Sequence, residues 1–398
     1  MAEMRKERVI HKLILVITAF IFVLIGTVSL AENHYIQIEP FSEGFAAVQN
    51  EDELWGYIDQ TAKLVIPCEW KKAGPFTNGI ASVKKGYKYG CINRNGELII
   101  PCVWDGYTTL SFSEGLAPVQ KDEYLWGYVD LKGDVVVECK WENYFASEFS
   151  EGLAAVRKDE MMGYINAAGE MVIPCQYIDA SSFSYGYARV QDEKGLFFIN
   201  KNGEEAFPQF PRAIGCDSFR EDGIAYLVFE DFSSVFINTE GKIVCSLPRE
   251  LQYRSNFREG LAGVATSNES GEYIGCEGYI DQTGEIVIPL ELYGSFNSFT
   301  NGVTSIPDRR LIAGEKEVRY GIIDRSGRLV YPYLLEEAVE FDEPVTEAKQ
   351  DGHEGAINTS GEVVVPFIYD SVRVGDGIVL CLKDGELSMF DYSGKGIN

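Results

Sequence analysis

The sequence predicts an all-β chain of tandem three-stranded units, each about 37 residues long. Three observations carry this. Blocks of sequence recur in fixed order along nearly the whole chain. Each block is a short run rich in β-branched and aromatic residues, bounded by turn residues. An Asp or Asn followed three residues later by a small residue marks every unit.

The first block is Phe41-Ser42-Glu43-Gly44-Phe45-Ala46-Ala47-Val48. It returns at Phe112–Val119 and Phe149–Val156, with looser copies from Phe76, Phe183, Phe219, Phe257 and Phe299. The second, Trp55-Gly56-Tyr57-Ile58-Asp59, returns as Trp126-Gly127-Tyr128-Val129-Asp130 and Met162-Gly163-Tyr164-Ile165-Asn166, and in part at Gly278–Asp281 and Tyr320–Asp324. The third, Leu64-Val65-Ile66-Pro67-Cys68, returns at Leu98–Cys102 and Met171–Cys175, and without the Cys at Ile286–Pro289 and Val363–Pro366.

The turn marker stands at Asp59, Asn93, Asp130, Asn166, Asn200, Asn238, Asp281, Asp324, Asn358 and Asp391. Its partner is Ala62 in the first copy and Gly in the rest. The span from Asp59 to Asp391 is 332 residues in nine steps. This spacing predicts a hairpin between the second and third strands. The Asp or Asn side chain caps the turn backbone, and Gly supplies a positive φ. The Gly after Phe-Ser-Glu opens the first strand from another turn. The Gly of Trp-Gly lets a neighbouring ring lie against bare backbone, and proline closes the third strand because it cannot donate to a ladder. Helix is expected only at 333–341. A single meander cannot bury a two-sided core, so the units must stack. Nine full copies and a partial tenth favour an open, solenoid-like array; a propeller-like ring or paired closed sheets is the alternative.

These linked blocks resemble the bacterial WG-repeat family, also called KWG, over residues 36–398. The resemblance implies the repeat fold and occurrence at the cell envelope or surface. It carries no settled activity or ligand. The chain departs from the pattern where the Trp of Trp-Gly becomes Tyr89, Met162 and Lys194, and where Ser234-Val235 replaces the pair.

Residues 1–12 are basic, Leu13 to Leu30 is uncharged and almost wholly apolar, and Ser29-Leu30-Ala31 has small residues at its first and third positions. That order predicts a signal peptide over 1–31 cleaved after Ala31, or an uncleaved membrane anchor over 13–30. The protein is then extracytoplasmic, secreted or held at the surface. The formal charge of −26 argues against nucleic acid and anionic lipid as partners, leaving membrane contact only through the N-terminal segment if it is uncleaved.

Of the three histidines, His11 and His34 lie in or beside the N-terminal segment, which leaves His353 alone for the rest of the chain and argues against a Ser-His-Asp triad, a Cys-His pair or a multi-His zinc site. Cys68, Cys102, Cys139 and Cys175 share one slot after the third block and read as a small, buried, apolar position rather than a metal site. The Asp/Asn series reads as turn capping and not calcium binding. Trp70, Trp104, Trp141 and Tyr177 follow the Cys slot by two residues; they read as packing between repeats or as an aromatic edge for glycan or peptide. A catalytic site is normally unique, whereas nearly every notable residue here recurs. The expectation is therefore a non-catalytic, exported binding or scaffolding module. It would need no cofactor or metal, and its ligand would be an unknown protein, peptide or cell-wall glycan. The alternative is a hydrolase acting on envelope polymers through a carboxylate pair.

Overall fold

A computed structural model describes residues 34–105, 110–121, 125–142, 147–220, 222–268, 273–292, 297–308 and 318–397. The export segment over 1–31 lies outside the described residues. Among the described residues there are ten antiparallel sheets and no helix. The helix expected at 333–341 is absent: Leu329–Leu335 is a strand of the eighth sheet, and the chain beyond it is irregular. Leu335 and Phe341 are both fully buried between the eighth and ninth sheets, so packing outweighs a weak local preference for helix.

The first sheet shows the plan. A leading strand, Tyr35–Ile38, pairs with Phe45–Asn50; this pairs with Trp55–Asp59, and that with Leu64–Trp70. Four sheets have this four-stranded form and six have three strands. In the fifth the strand after the Asn200 turn is reduced to a bridge at Glu205, and in the tenth to a bridge at Gly396.

All ten marker turns form as the sequence implies. In each, the fourth residue donates its N–H to the carbonyl of the Asp or Asn. The side-chain Oδ1 accepts the N–H groups two and four residues on, as Asp130 does from Lys132 and Asp134 at 2.9 and 3.0 Å. The fourth residue is left-handed every time, φ being 57° at Ala62 and 82° at Gly133. In eight of the ten sheets the turn before this strand is a two-residue hairpin of the mirror type: Glu43 and Gly44 both have positive φ, at 51° and 82°, and Ser42 and Phe45 exchange both backbone hydrogen bonds; the sixth and ninth sheets depart from it.

The Gly of Trp-Gly has a different reason from the one expected. A Cβ at Gly127 would stand 2.3 Å from the carbonyl oxygen of Val137, on the neighbouring strand, and one at Gly56 would stand 2.5 Å from that of Ile66. Backbone, not a ring, fills the space. The cause is a bulge: Trp55 faces Trp70 and Tyr57 faces Ile66, so the partner strand carries extra residues opposite Gly56. Pro67 lies in that bulge, inside the strand Leu64–Trp70 rather than closing it, where its missing N–H costs no ladder bond.

Neighbouring sheets are fastened by the motif residues. The buried tyrosine of Gly-Tyr-Ile-Asp donates its hydroxyl to a carbonyl leading into the next sheet: Tyr57 to Gly74, Tyr128 to Ser147, Tyr164 to Ser181 and Tyr279 to Asn297, each at 2.7–2.8 Å. Its ring meets the next phenylalanine tilted or edge-on, as Tyr164 meets Phe183 with centroids 4.9 Å apart. The serine of Phe-Ser-Glu-Gly donates to that phenylalanine's carbonyl, Ser150 to Phe183 at 2.8 Å. The glutamate accepts from the next turn's glycine N–H, Glu151 from Gly186 at 2.9 Å. Tyr164→Phe is expected to cost about 1–2 kcal/mol, because it orphans a buried carbonyl without opening a cavity. An unchanged urea midpoint would rule out this fastening.

Apolar clusters join each consecutive pair of sheets, from Trp55, Tyr57 and Phe76 between the first and second to Val365, Tyr369, Val372 and Val379 between the ninth and tenth. A further cluster joins the tenth to the first: Ile378, Leu380, Leu382 and Met389 pack with Tyr35, Ile38, Phe41, Ala46 and Val48. The N–H of Tyr35 donates to the carbonyl of Gly385 at 3.1 Å, and that of Gly44 to Asp376 Oδ2 at 2.8 Å. Asp376 thus makes the link that Glu43, Glu114, Glu151 and Glu259 make at four other joints. The stacked meanders of the expected class are present, and none closes into a barrel. The two ends also meet, as the propeller-like alternative requires.

Candidate functional site

The four aromatic residues proposed as an edge belong to the joints. Trp70, Trp141 and Tyr177 are buried, Trp104 is half-buried, and each pairs across the bulge with the residue in the Trp-Gly slot: Trp55, Trp126, Met162 and Tyr89 in turn. They pack in the clusters between successive sheets. The residues in the slot are buried as well, Trp55 being 9% exposed and Tyr89 1%.

Cys68, Cys102, Cys139 and Cys175 sit in the bulges, half-buried rather than fully buried. The Cys68, Cys139 and Cys175 thiols point at the carbonyls of Val48, Val119 and Val156 of their own sheets, at 3.8–3.9 Å. Burial pushes the thiols of Cys68, Cys102 and Cys175 up, which disfavours the thiolate that metal binding or attack would need. Cys68, Cys91, Cys102, Cys175, Cys216, Cys245 and Cys381 form no disulfide, and the side chain of Cys276 lies outside the described residues. Among the described residues no group of three or more His, Cys, Asp or Glu is arranged to hold a metal ion.

The recurrent carboxylates are also engaged. Glu43 accepts the N–H groups of Asn78 and Gly79 at 2.6 and 2.8 Å and pairs with Arg94 at 2.8 Å; the Arg94 hydrogen bond and these N–H groups hold its carboxyl low against burial. Glu114 and Glu259 bond the N–H groups of Gly152 and Gly302, both at 2.9 Å.

In the marker turns, the hydroxyls of Thr283, Ser326 and Ser393 hydrogen-bond the carboxylates of Asp281, Asp324 and Asp391 and lower their pKa values, that of Asp324 to about 2. Carboxyls depressed on folding contribute stability above their unfolded pKa of about 4 and lose it as pH falls through the folded value. The thermal midpoint should therefore fall between about pH 4 and pH 2. Asp324→Asn, which keeps the acceptor oxygen, should fall less steeply than the parent over that window. Parallel curves would show that the turn carboxylate does not titrate with folding.

The irregular region is the fifth to seventh sheets. The sequence places Lys194 in the Trp-Gly slot of the fifth sheet, but the register puts Leu196 there, opposite Gln191 as Met162 is opposite Arg157, and leaves Lys194 in the preceding turn; Ser234 holds the slot in the sixth sheet, and Ala206 to Arg212 turns away where other sheets have a third strand. A hollow of about 450 Å³ opens there, lined by Lys194, Pro211, Arg212, Phe229, Glu230, Asp231 and Ser233. A second, of about 340 Å³, lies among Asp222, Arg258, Glu259, Asn301 and Asp342 at the turns of the sixth to ninth sheets. The departures from the repeat in this region are visible in the sequence; the hollow is not, because it depends on two sheets meeting.

The sequence matches the family described as "WG containing repeat" over residues 35–53, 55–89, 89–124, 126–161, 162–195, 278–306, 320–352 and 355–375, more than half of the chain. No match was found among curated proteins. Among solved structures, the chain is similar to BamB from Moraxella catarrhalis, at 10% identity over 75% of this chain and 97% of that one, with a TM-score of 0.38. It is similar to the dihydro-heme d1 dehydrogenase NirN at 15% identity over 84% and 75%, TM-score 0.38. It is also similar to PorZ from Porphyromonas gingivalis at 7% identity over 92% and 58%, TM-score 0.28. No statement about function follows from likenesses of this size. The recurring matches and the motif-built joints agree, and the chain belongs to the WG-repeat family.

Proposed function

We propose that the protein is an exported, non-catalytic repeat module that binds or scaffolds at the cell envelope or surface. The observation that carries this reading is the use made of the recurrent side chains. Tyrosine, phenylalanine, serine and glutamate of the motif fasten sheet to sheet, as in Tyr164, Phe183, Ser150 and Glu151. A rigid frame with many similar exposed loops suits presentation or binding, and function then belongs to what departs from the repeat. The basic, apolar, small-x-small order of residues 1–31 supports export.

The test applies the chain from residue 32 onward to purified cell-wall material. Retention without release of soluble sugar or peptide is the expected result. Release of soluble fragments would replace the module with a hydrolase, and absence of retention would remove the envelope as its site. N-terminal sequencing of protein recovered outside the cytoplasm is expected to begin at Glu32. Full-length chain recovered only from the cytosol would overturn export.

A further inference from the structure

We infer that one end of the second sheet, where Lys71, Lys72, Lys84, Lys85 and Lys88 surround Tyr87, is a binding surface for an anionic polysaccharide. The inference deepens the binding role proposed above and rests on it.

The patch runs against the rest of the chain. Acidic residues outnumber basic ones by 61 to 35, yet these lysines all fall between positions 71 and 88. The hairpin joining the strand of the first sequence block to that of the second carries a carboxylate in every other copy. Glu51, Asp52 and Glu53 supply it in the first, Asp159 and Glu160 in the fourth and Asp384 in the tenth. Its counterpart in the second copy is Lys84-Lys85-Gly86-Tyr87-Lys88, which has none. The second sheet consists of Lys72–Thr77, Ile80–Lys85, Lys88–Asn93 and Leu98–Trp104. Its register gathers the lysines on three adjacent strands: Lys72 stands opposite Lys84, and Lys85 opposite Lys88. Neighbouring strands lie about 4.8 Å apart, so the patch is about 10 Å across. Like charges directly opposite each other destabilise a sheet. Two such pairs side by side oppose folding, and local rules are broken in this way at functional positions.

The charges are positioned but not neutralised. Lys84 and Lys85 extend over the rings of Tyr89 and Trp70, with Nζ 4.8 and 5.6 Å from the centroids. Such contacts hold the stem and leave the ammonium able to meet an anion. Lys88 is paired with Asp105 at 2.6 Å, whereas Lys71, Lys72, Lys84 and Lys85 form no ion pair among the described residues. Tyr87, in the turn, is 89% exposed, so its ring is open to stacking.

The charge calls for an anion, and the surroundings select its kind. A bilayer or a nucleic-acid duplex would also meet the acidic hairpin of the first sheet, at Glu51, Asp52 and Glu53. A single polymer chain can follow the lysines alone. The open ring of Tyr87 among them favours a saccharide over an acidic peptide. The ring stacks on the apolar face of a sugar while the ammonium groups hold its carboxylates.

The test is calorimetric titration of the purified chain with polygalacturonate, with dextran as a neutral probe and polyglutamate as an acidic-peptide probe. Polygalacturonate is expected to bind, less tightly as salt is raised, and dextran not to bind. Polyglutamate should bind about tenfold more weakly than polygalacturonate, for want of stacking. Lys71→Gln combined with Lys72→Gln should weaken polygalacturonate about tenfold. Its thermal midpoint should be unchanged or higher, because the repulsion between Lys72 and Lys84 is relieved. Tyr87→Ala should weaken binding by a similar factor without moving the midpoint. Lys383→Gln, on the tenth sheet, is the control and should bind like the parent. No binding of polygalacturonate, equal binding of dextran or polyglutamate, or a folded lysine or tyrosine variant that binds like the parent would each overturn the inference. So would a Lys383→Gln variant weakened as much as the lysine pair. If the lysine variant does not fold, Tyr87→Ala decides alone. Retention on cell-wall material separates the two readings. Retained parent that binds no polygalacturonate loses only this inference; loss of retention as well removes the broader role.

Discussion

Gly127→Ala should destabilise the protein by about 3 kcal/mol, at the upper end of overpacking costs. The added methyl would stand 2.3 Å from the Val137 carbonyl oxygen and 2.7 Å from the Cys139 N–H nitrogen, and both atoms are backbone. The two strands can separate only by breaking the ladder on either side of the bulge. Gly152→Ala is the control. Gly152 is left-handed at φ 85° with nothing within 4 Å of an added Cβ, so its cost is backbone strain alone, about 1 kcal/mol. Urea midpoints for the two variants should differ accordingly. Equal midpoints would mean that the close approach opposite Trp-Gly does not exist in solution.

Phe41→Ala should cost about 3–5 kcal/mol, the usual loss for truncating a buried aromatic ring. Phe41 is 3% exposed, and the residues that cover it include Ile378, Leu380 and Leu382 of the tenth sheet, more than three hundred positions away. In an array with separated ends this ring would face water, and its removal would change little. Removing the tenth sheet with a chain ending after Tyr369 extends the test. A closed cycle loses two joints, that to the ninth sheet at Val372 and Val379 and that to the first at Leu380 and Met389. An open array loses one. A Phe41→Ala variant as stable as the parent would open the ring.

The marker turns were legible because everything they need lies within five residues: a side chain that reaches its own backbone and a Gly that accepts a positive φ. Asp59 and Asp391, at opposite ends of the chain, make the same bonds. The Trp-Gly step was half-legible. That Gly56 must lack a side chain is readable from its recurrence, but which atom excludes it depends on the bulge around Pro67, and that is a property of two strands in register. Glu43, Glu114 and Glu151 read locally as turn residues. Their carboxylates bond a sheet about 36 residues further on, so no local pattern exposes the link. The segment 333–341 misled for the same reason: its preference for helix is weak, and burial of Leu335 and Phe341 outweighs it.

Sequence alone determined the β class, the repeat length, the turn chemistry and the family, because each is encoded within one unit and read repeatedly. Tertiary structure decided what accumulates over many units or arises between two of them. Small rotations from sheet to sheet bring Asp376 to Gly44 and the tenth sheet to the first, a result no single repeat contains. The hollow beside Lys194 follows from the same physics. It is lined by Lys194 and Arg212 beside the fifth sheet and by Phe229, Asp231 and Ser233 of the sixth, so neither sheet's sequence contains it alone.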